Sequence, residues 1–110
     1  MDPQSLNRAI MSSGLWFGVT WAIALATGVD APIMEIATDA SLMGVSALAS
    51  DAAHSAANIV PSAMSSAIGA GAVYSAAQYA WRGDNSYVTN FAAAAGNDYL
   101  VEWMGVALAK

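Results

Sequence analysis

The chain has no cysteine, one histidine and three basic residues among its 110. The first absence excludes a disulfide framework and thiolate chemistry. With His54 alone, a zinc site would need carboxylates gathered from distant segments, so no metal is expected. Arg8, Arg82 and Lys110 lie far apart and are outnumbered by eight acidic residues, for a net charge of −5. No cluster of cations is on offer to a phosphate backbone, which excludes nucleic acid as a partner.

Charge of either sign is scarce: 10 % of residues are charged, against roughly a quarter in soluble domains. With 57 % of the chain apolar, lipid or neighbouring protein must hide much of the surface. Bulky aliphatic side chains are also few. Alanine supplies 26 residues, whereas Leu, Ile, Val and Phe together supply 23. A core of Ala, Gly and Ser gains its energy from close backbone approach, which is how helices associate in membranes. An Ala-rich bundle in water is the competing expectation, because Ala favours helix in any solvent.

What the chain does have is an uncharged run of 21 residues, 9–29, between Arg8 and Asp30. Its length matches the hydrocarbon thickness of a bilayer. Ala24-Leu25-Ala26 would serve as a signal cleavage site, but one basic residue makes a poor n-region, and a retained anchor is the better reading. Within the run Gly14 and Gly18 form a GxxxG pattern, a candidate helix-packing face flanked by Trp16 and Phe17. Trp16 is a candidate for a headgroup boundary.

Asp30, Pro32, Glu35 and Asp39 break the apolar pattern, and Pro32 reads as the first turn of a new helix. Over 33–50, Glu35, Asp39, Ser46 and Ser50 fall on one stripe and Ile36, Met43 and Ala47 on another. An amphipathic helix is expected, lying on the membrane surface or lining a polar seam.

A second span is expected over 59–81. Pro61 lies in its first turn, Ser65, Gly69 and Gly71 are small packing positions, and Tyr74, Tyr79 and Trp81 form an anchor at its far end. Arg82-Gly83-Asp84-Asn85-Ser86 is a clear turn. The last segment, 88–109, carries Phe91, Ala95, Tyr99, Trp103 and Val106 on one face and Asn90, Asn97, Asp98 and Glu102 on another. Carboxylates inside a span are costly unless they face protein or water, so a third helix with its polar side inward is expected. Arg8 and Arg82 bracket two spans in this layout, which places them on one side of the membrane, in line with the positive-inside tendency.

The residues carry little chemistry. Asp51 and His54 are one helical turn apart and read as a capping or interfacial pair. Ser50 and Asn58, four residues to either side of His54, depart from the pattern of chlorophyll-binding antenna helices, so no cofactor is expected. Many serines, one histidine and no G-x-S-x-G elbow argue for a protein that is not an enzyme. Glu35, Asp39, Asp98 and Glu102 repeat an i, i+4 spacing. They are candidate polar or partner contacts, and in a second reading they line the path of a small proton or ion carrier. A third reading is an accessory subunit of a respiratory or photosynthetic complex.

An N-terminal apolar anchor precedes a small-residue middle span, the turn Trp81-Arg82-Gly83-Asp84-Asn85 and a last helix carrying Ala95-Gly96-Asn97-Asp98-Tyr99. In that arrangement the chain resembles the small membrane proteins of icosahedral double-stranded DNA viruses with an internal bilayer. The resemblance implies a minor capsid protein in many copies between membrane and shell. Its partners would be the lipid bilayer and other membrane or capsid proteins in a multi-subunit assembly. The expected fold is a single all-α, multi-pass transmembrane helical bundle over 1–110, with two to three spans plus the amphipathic helix.

Overall fold

A computed structural model describes residues 3–28 and 33–109, with side chains for 5–28 and 33–104. Asp30, Pro32 and the last residue of the expected first span, Val29, lie outside the described residues, as does the side chain of Val106. The described part is all-α. It comprises helices α1 (Pro3–Thr27), α2 (Ile33–Ala56), α3 (Ala63–Arg82) and α4 (Tyr87–Ala109). At 1.5 Å per residue each is roughly 30 to 37 Å long, within a longest dimension of 44 Å.

Each helix packs on the next, and α4 returns to α1 along the thinnest of the four seams. The pairings fix the directions. Arg8 near the start of α1 meets Asp51 near the end of α2, and Arg82 at the end of α3 meets Asp39 near the start of α2. Gly71 of α3 lies against Phe91 and Ala95 of α4. Arg8 also meets Asp98, late in α4. The result is an up-down-up-down bundle.

Capping explains the boundaries. Helix α2 runs six residues beyond the expected 33–50 and closes through Asn58 in the left-handed region, with the Ile59 N–H donating to the His54 carbonyl. It packs between α1 and α3, with Ser46 and Ser50 buried on its inner side. Helix α3 starts at Ala63 rather than at 59, because Ser62 caps it. The Ser62 hydroxyl accepts from the Ser65 N–H while Ser65 Oγ accepts from the Ser62 N–H. Pro61 therefore precedes the cap instead of opening the helix. Gly83, at φ 66°, ends α3 with its N–H directed at the Gln78 and Tyr79 carbonyls. Asp84 then takes the Ser86 N–H and the Asn90 amide on its two oxygens, which starts α4.

The centre of the bundle is a thin apolar layer of Met43, Tyr74 and Ala94, with Trp16 and Leu42 packed against it. Trp16 and Tyr74 thus serve the core instead of a headgroup boundary, and only Tyr79 and Trp81 of the expected anchor are exposed. Among the described residues α1 alone is long and apolar enough to cross a membrane, over Ser5–Thr27, with mean hydropathy 1.5. Only 11 % of its most apolar window is buried, unlike the core helix of a water-soluble protein.

Candidate functional site

Above and below the apolar layer, buried polar groups lie among buried alanines, Ile36 and Val101. At one end Arg8, immediately before the apolar run of α1, is enclosed by carboxylates from two other helices. Its Nη1 donates to Asp51 of α2. Its Nε donates to Asp98 Oδ1 at 3.0 Å, and Glu102 Oε1 approaches the same nitrogen at 3.3 Å. Nη2 lies 3.0 Å from Asp98 Oδ1 without forming a hydrogen bond. Asp98 is 2 % exposed and its Oδ2 has no partner. One turn along α1, Ser12 is 1 % exposed with an unpartnered hydroxyl, and its carbonyl accepts from Asn97 Nδ2 at 3.1 Å. Ser50 donates to the Ser66 carbonyl at 3.1 Å, joining α2 to α3 at the same level. The Ser46 and Ser66 hydroxyls are buried without partners.

The expected pairing of Asp51 with His54 is not made. Asp51 turns to Arg8, and His54 Nδ1 lies 2.7 Å from the Ser50 carbonyl of its own helix. A carbonyl only accepts, so that nitrogen carries the proton.

At the other end Arg82 Nη1 is 2.9 Å from Asp39 Oδ1 and 3.9 Å from Glu35 Oε1. Gln78 Nε2 donates to Asp39 Oδ1 at 3.1 Å and to the Tyr74 hydroxyl at 2.8 Å. Glu35 is exposed, so this cluster is wetter than the first. One expectation is corrected here. Arg8 and Arg82 stand at opposite ends of the bundle, because α2 runs its full length between them. Glu35 and Asp39 lie at one end and Asp98 and Glu102 at the other, with the Met43–Tyr74–Ala94 layer between them.

The five small packing positions divide. A Cβ on Gly69 would run into Ser50 of α2, and one on Gly71 would sit 2.9 Å from the Phe91 carbonyl of α4. Ser65 is used in the α3 cap. Gly14 and Gly18 are exposed with nothing within 4 Å of a Cβ, so the contact expected there is not made within this chain. The close approach of α1 to α2 falls instead at Gly44, where a Cβ would sit 2.9 Å from the Ala9 carbonyl.

Sequence reasoning missed Arg8 and Asp51 at one end, and Gln78 at the other, as interior groups. Gln78 had a usable signal, being the polar amide inside an uncharged stretch, and such a group in an apolar helix seeks a partner. Arg8 looked like the flank of a span, and only the antiparallel return of α4 reveals its role.

Chemically the site offers buried carboxyls, a guanidinium and hydroxyls. Among the described residues no three His, Cys, Asp or Glu side chains are grouped to hold a metal ion, because the carboxylates around Arg8 converge on the guanidinium. Outside the bundle, Ala72, Ala76, Tyr79, Tyr87 and Phe91 line an open apolar groove between α3 and α4 that carries no charge. In comparisons with known proteins, no family model matches the chain, and neither a curated protein nor a solved structure does.

Proposed function

We propose that this chain is a non-enzymatic integral membrane protein, a minor structural component whose helical bundle sits in a bilayer and joins it to a larger assembly such as a viral capsid. The observation that carries the reading is a set of buried polar groups beneath bulky exposed apolar side chains. Ser12, Ser46, Ser50, Ser66, Gln78 and Asp98 are buried, while Ile10, Leu25, Met34, Val60, Val88 and Trp103 are exposed. In water the burial of serines and a carboxylate beneath exposed aliphatics would be unfavourable on both counts. In a bilayer it is the arrangement expected.

The hydropathy of α2, α3 and α4 is consistent with this. Several of the residues that lower it, Ser50, Ser66, Ser75, Gln78 and Asp98, are buried in the bundle, while others such as Glu35, Thr38 and Ser41 are exposed. The outward faces are accordingly more apolar than a whole-helix average indicates. The seams rely on Gly44, Gly69 and Gly71, which suits association by close packing in lipid.

Alkaline carbonate extraction tests the membrane assignment. Retention in the membrane pellet supports it, and release as a monodisperse monomer without detergent overturns it. Co-purification in mild detergent tests the assembly. Capsid proteins as partners support the structural reading, and respiratory or photosynthetic subunits replace it with the accessory-subunit one. The carrier reading predicts proton or ion flux through reconstituted protein, lost in Asp98→Asn and Glu102→Gln. The separation of the two acidic clusters by an apolar layer stands against it.

A further inference from the structure

Given the membrane reading above, on which this rests, we propose that the outer face of the α3–α4 hairpin is a lipid-facing surface complete from one headgroup level to the other. Both helices then cross the bilayer alongside α1.

The exposed aromatic residues of the hairpin fall in two bands. At the turn end stand Tyr79, Trp81 and Tyr87, with the Tyr79 and Tyr87 ring centroids 5.5 Å apart. The other band is Tyr99 and Trp103 on α4. Packing fixes its level, because Gly71 lies against Phe91 and Ala95. Eight residues back from Gly71 is Ala63, where α3 begins, and eight on from Phe91 and Ala95 are Tyr99 and Trp103. From Tyr87 to Trp103 is ~24 Å, and from Ala63 to Trp81 ~27 Å, at about 1.5 Å per residue. Both lengths are close to the roughly 30 Å of a hydrocarbon core, and Tyr and Trp favour the headgroup levels on either side of it.

Charge follows the same division. Between the bands no charged residue is exposed. Met64, Ile68 and Ala72 of α3 and Val88, Ala92 and Leu100 of α4 are exposed there, and Thr89 beside Tyr87 is the one exposed polar residue among them. Asp98 and Glu102 turn inward to Arg8. Charges resume directly beyond Trp81, with Arg82 and Asp84. A neutral surface thus meets the depth of neutral acyl chains, and the charged turn meets the headgroups and water.

Whole-helix hydropathy singles out α1 because in α3 and α4 it averages over Ser66, Ser75, Gln78 and Asp98, which are buried. Lipid meets the outer face alone, and polar groups that face the bundle interior are tolerated within a span. The open groove of Ala72, Ala76 and Phe91 lies on that outer face, on the bilayer side of the Tyr79–Tyr87 pair.

The chain has no cysteine, so the double variant Ala57→Cys/Asn85→Cys carries its only thiols at exposed positions beyond the two ends of α3. The full chain is reconstituted in sealed phosphatidylcholine vesicles and treated from outside with a membrane-impermeant maleimide, and intact mass counts the labels on each chain. In a crossing hairpin no chain takes two labels, whichever way it inserted. Every chain takes two once freezing and thawing admits the reagent to both faces. The single variant Ala72→Cys, midway along α3, takes none in either state. Two labels on one chain in sealed vesicles, fewer than two with reagent on both faces, or labelling of Ala72→Cys overturns the crossing hairpin, while flotation of the chain with the vesicles leaves the membrane reading standing. A chain that does not float with the vesicles overturns that reading, and the crossing hairpin with it.

Discussion

Arg8 and Arg82 hold the same helix from opposite ends, Arg8 through Asp51 and Arg82 through Asp39. The two grips differ in strength because they differ in exposure. The side chains of Arg8 and Asp98 are 13 % and 2 % exposed, whereas Arg82 remains partly in solvent. Removing one partner of a buried pair leaves the other charge uncompensated, at a cost of about 3–5 kcal/mol. Arg8→Met should therefore lower unfolding stability in detergent by an amount of that order. Arg82→Met should cost roughly 1 kcal/mol or less. Equal losses in chemical denaturation would show that the Arg8 cluster is hydrated like the outer one.

The glycines separate into contact positions and open ones. Gly71→Ala places a methyl group 2.9 Å from the Phe91 backbone carbonyl, which cannot move without the helix, and overpacking of this kind costs about 1–3 kcal/mol. Gly14→Ala and Gly18→Ala meet open space and should stabilise α1 by roughly 0.5–1 kcal/mol. Thermal unfolding of the three variants checks the order. Gly18→Leu should leave the isolated bundle intact and membrane insertion undiminished, while weakening assembly with neighbouring chains; a cross-linking ladder reads that loss.

Helix α3 depends on its two ends. Ser62→Ala removes the side-chain acceptor for the Ser65 N–H, a cap worth about 1 kcal/mol. Gly83→Ala forces a side chain into the left-handed region at φ 66°, at about 1–2 kcal/mol. Circular dichroism during thermal unfolding should register both losses, and they should add, since the sites lie at opposite ends of one helix.

A pH effect is expected at the α3–α4 turn. The Ser86 backbone N–H, with help from the Asn90 amide, holds the Asp84 carboxyl below its ordinary range. A lowered folded value means that this contribution is fully present above the unfolded value. It fades as pH falls through the folded one. Protection of the Asn90 N–H, which donates to the Ser86 carbonyl, should thus fall under acid conditions in the parent when hydrogen exchange is measured against the intrinsic rate at each pH. In Asp84→Asn that acid step should be missing.

Much of the helical plan was legible because local signals agree. The uncharged run at 9–29 and the Arg82–Ser86 turn each follow from nearest-neighbour chemistry, whereas the two stripes of α2 do not separate inside from outside, since Ser46 and Ser50 are buried together with Ile36, Met43 and Ala47. The α2–α3 junction was not, since Asn58 is one polar residue inside an uncharged stretch and its left-handed conformation depends on the His54 carbonyl being free. The site was half legible. Spacing along a helix put Asp98 beside Glu102, but it holds no information about which cation faces them. That depends on α4 folding back on α1, a contact between residues 90 apart in sequence. The GxxxG of α1 was misleading for the same reason: a small-residue face shows where a neighbour fits, and the chain placed its neighbour on the Ala9–Ser13 face instead.

The seams of the bundle are of two kinds. Gly44 joins α1 to α2, Gly69 joins α2 to α3 and Gly71 joins α3 to α4. At each of them a Cβ would collide with the facing helix: the Ala9 carbonyl at Gly44, the Ser50 side chain at Gly69 and the Phe91 carbonyl at Gly71. Among the described residues α1 and α4 have no such glycine between them, and Arg8 with Asp98 and Glu102, and Asn97 with the Ser12 carbonyl, close that gap. The α1–α4 seam is also the thinnest of the four, so three edges of the bundle close by shape and the fourth closes by polar contacts that depend on the identity of a few side chains.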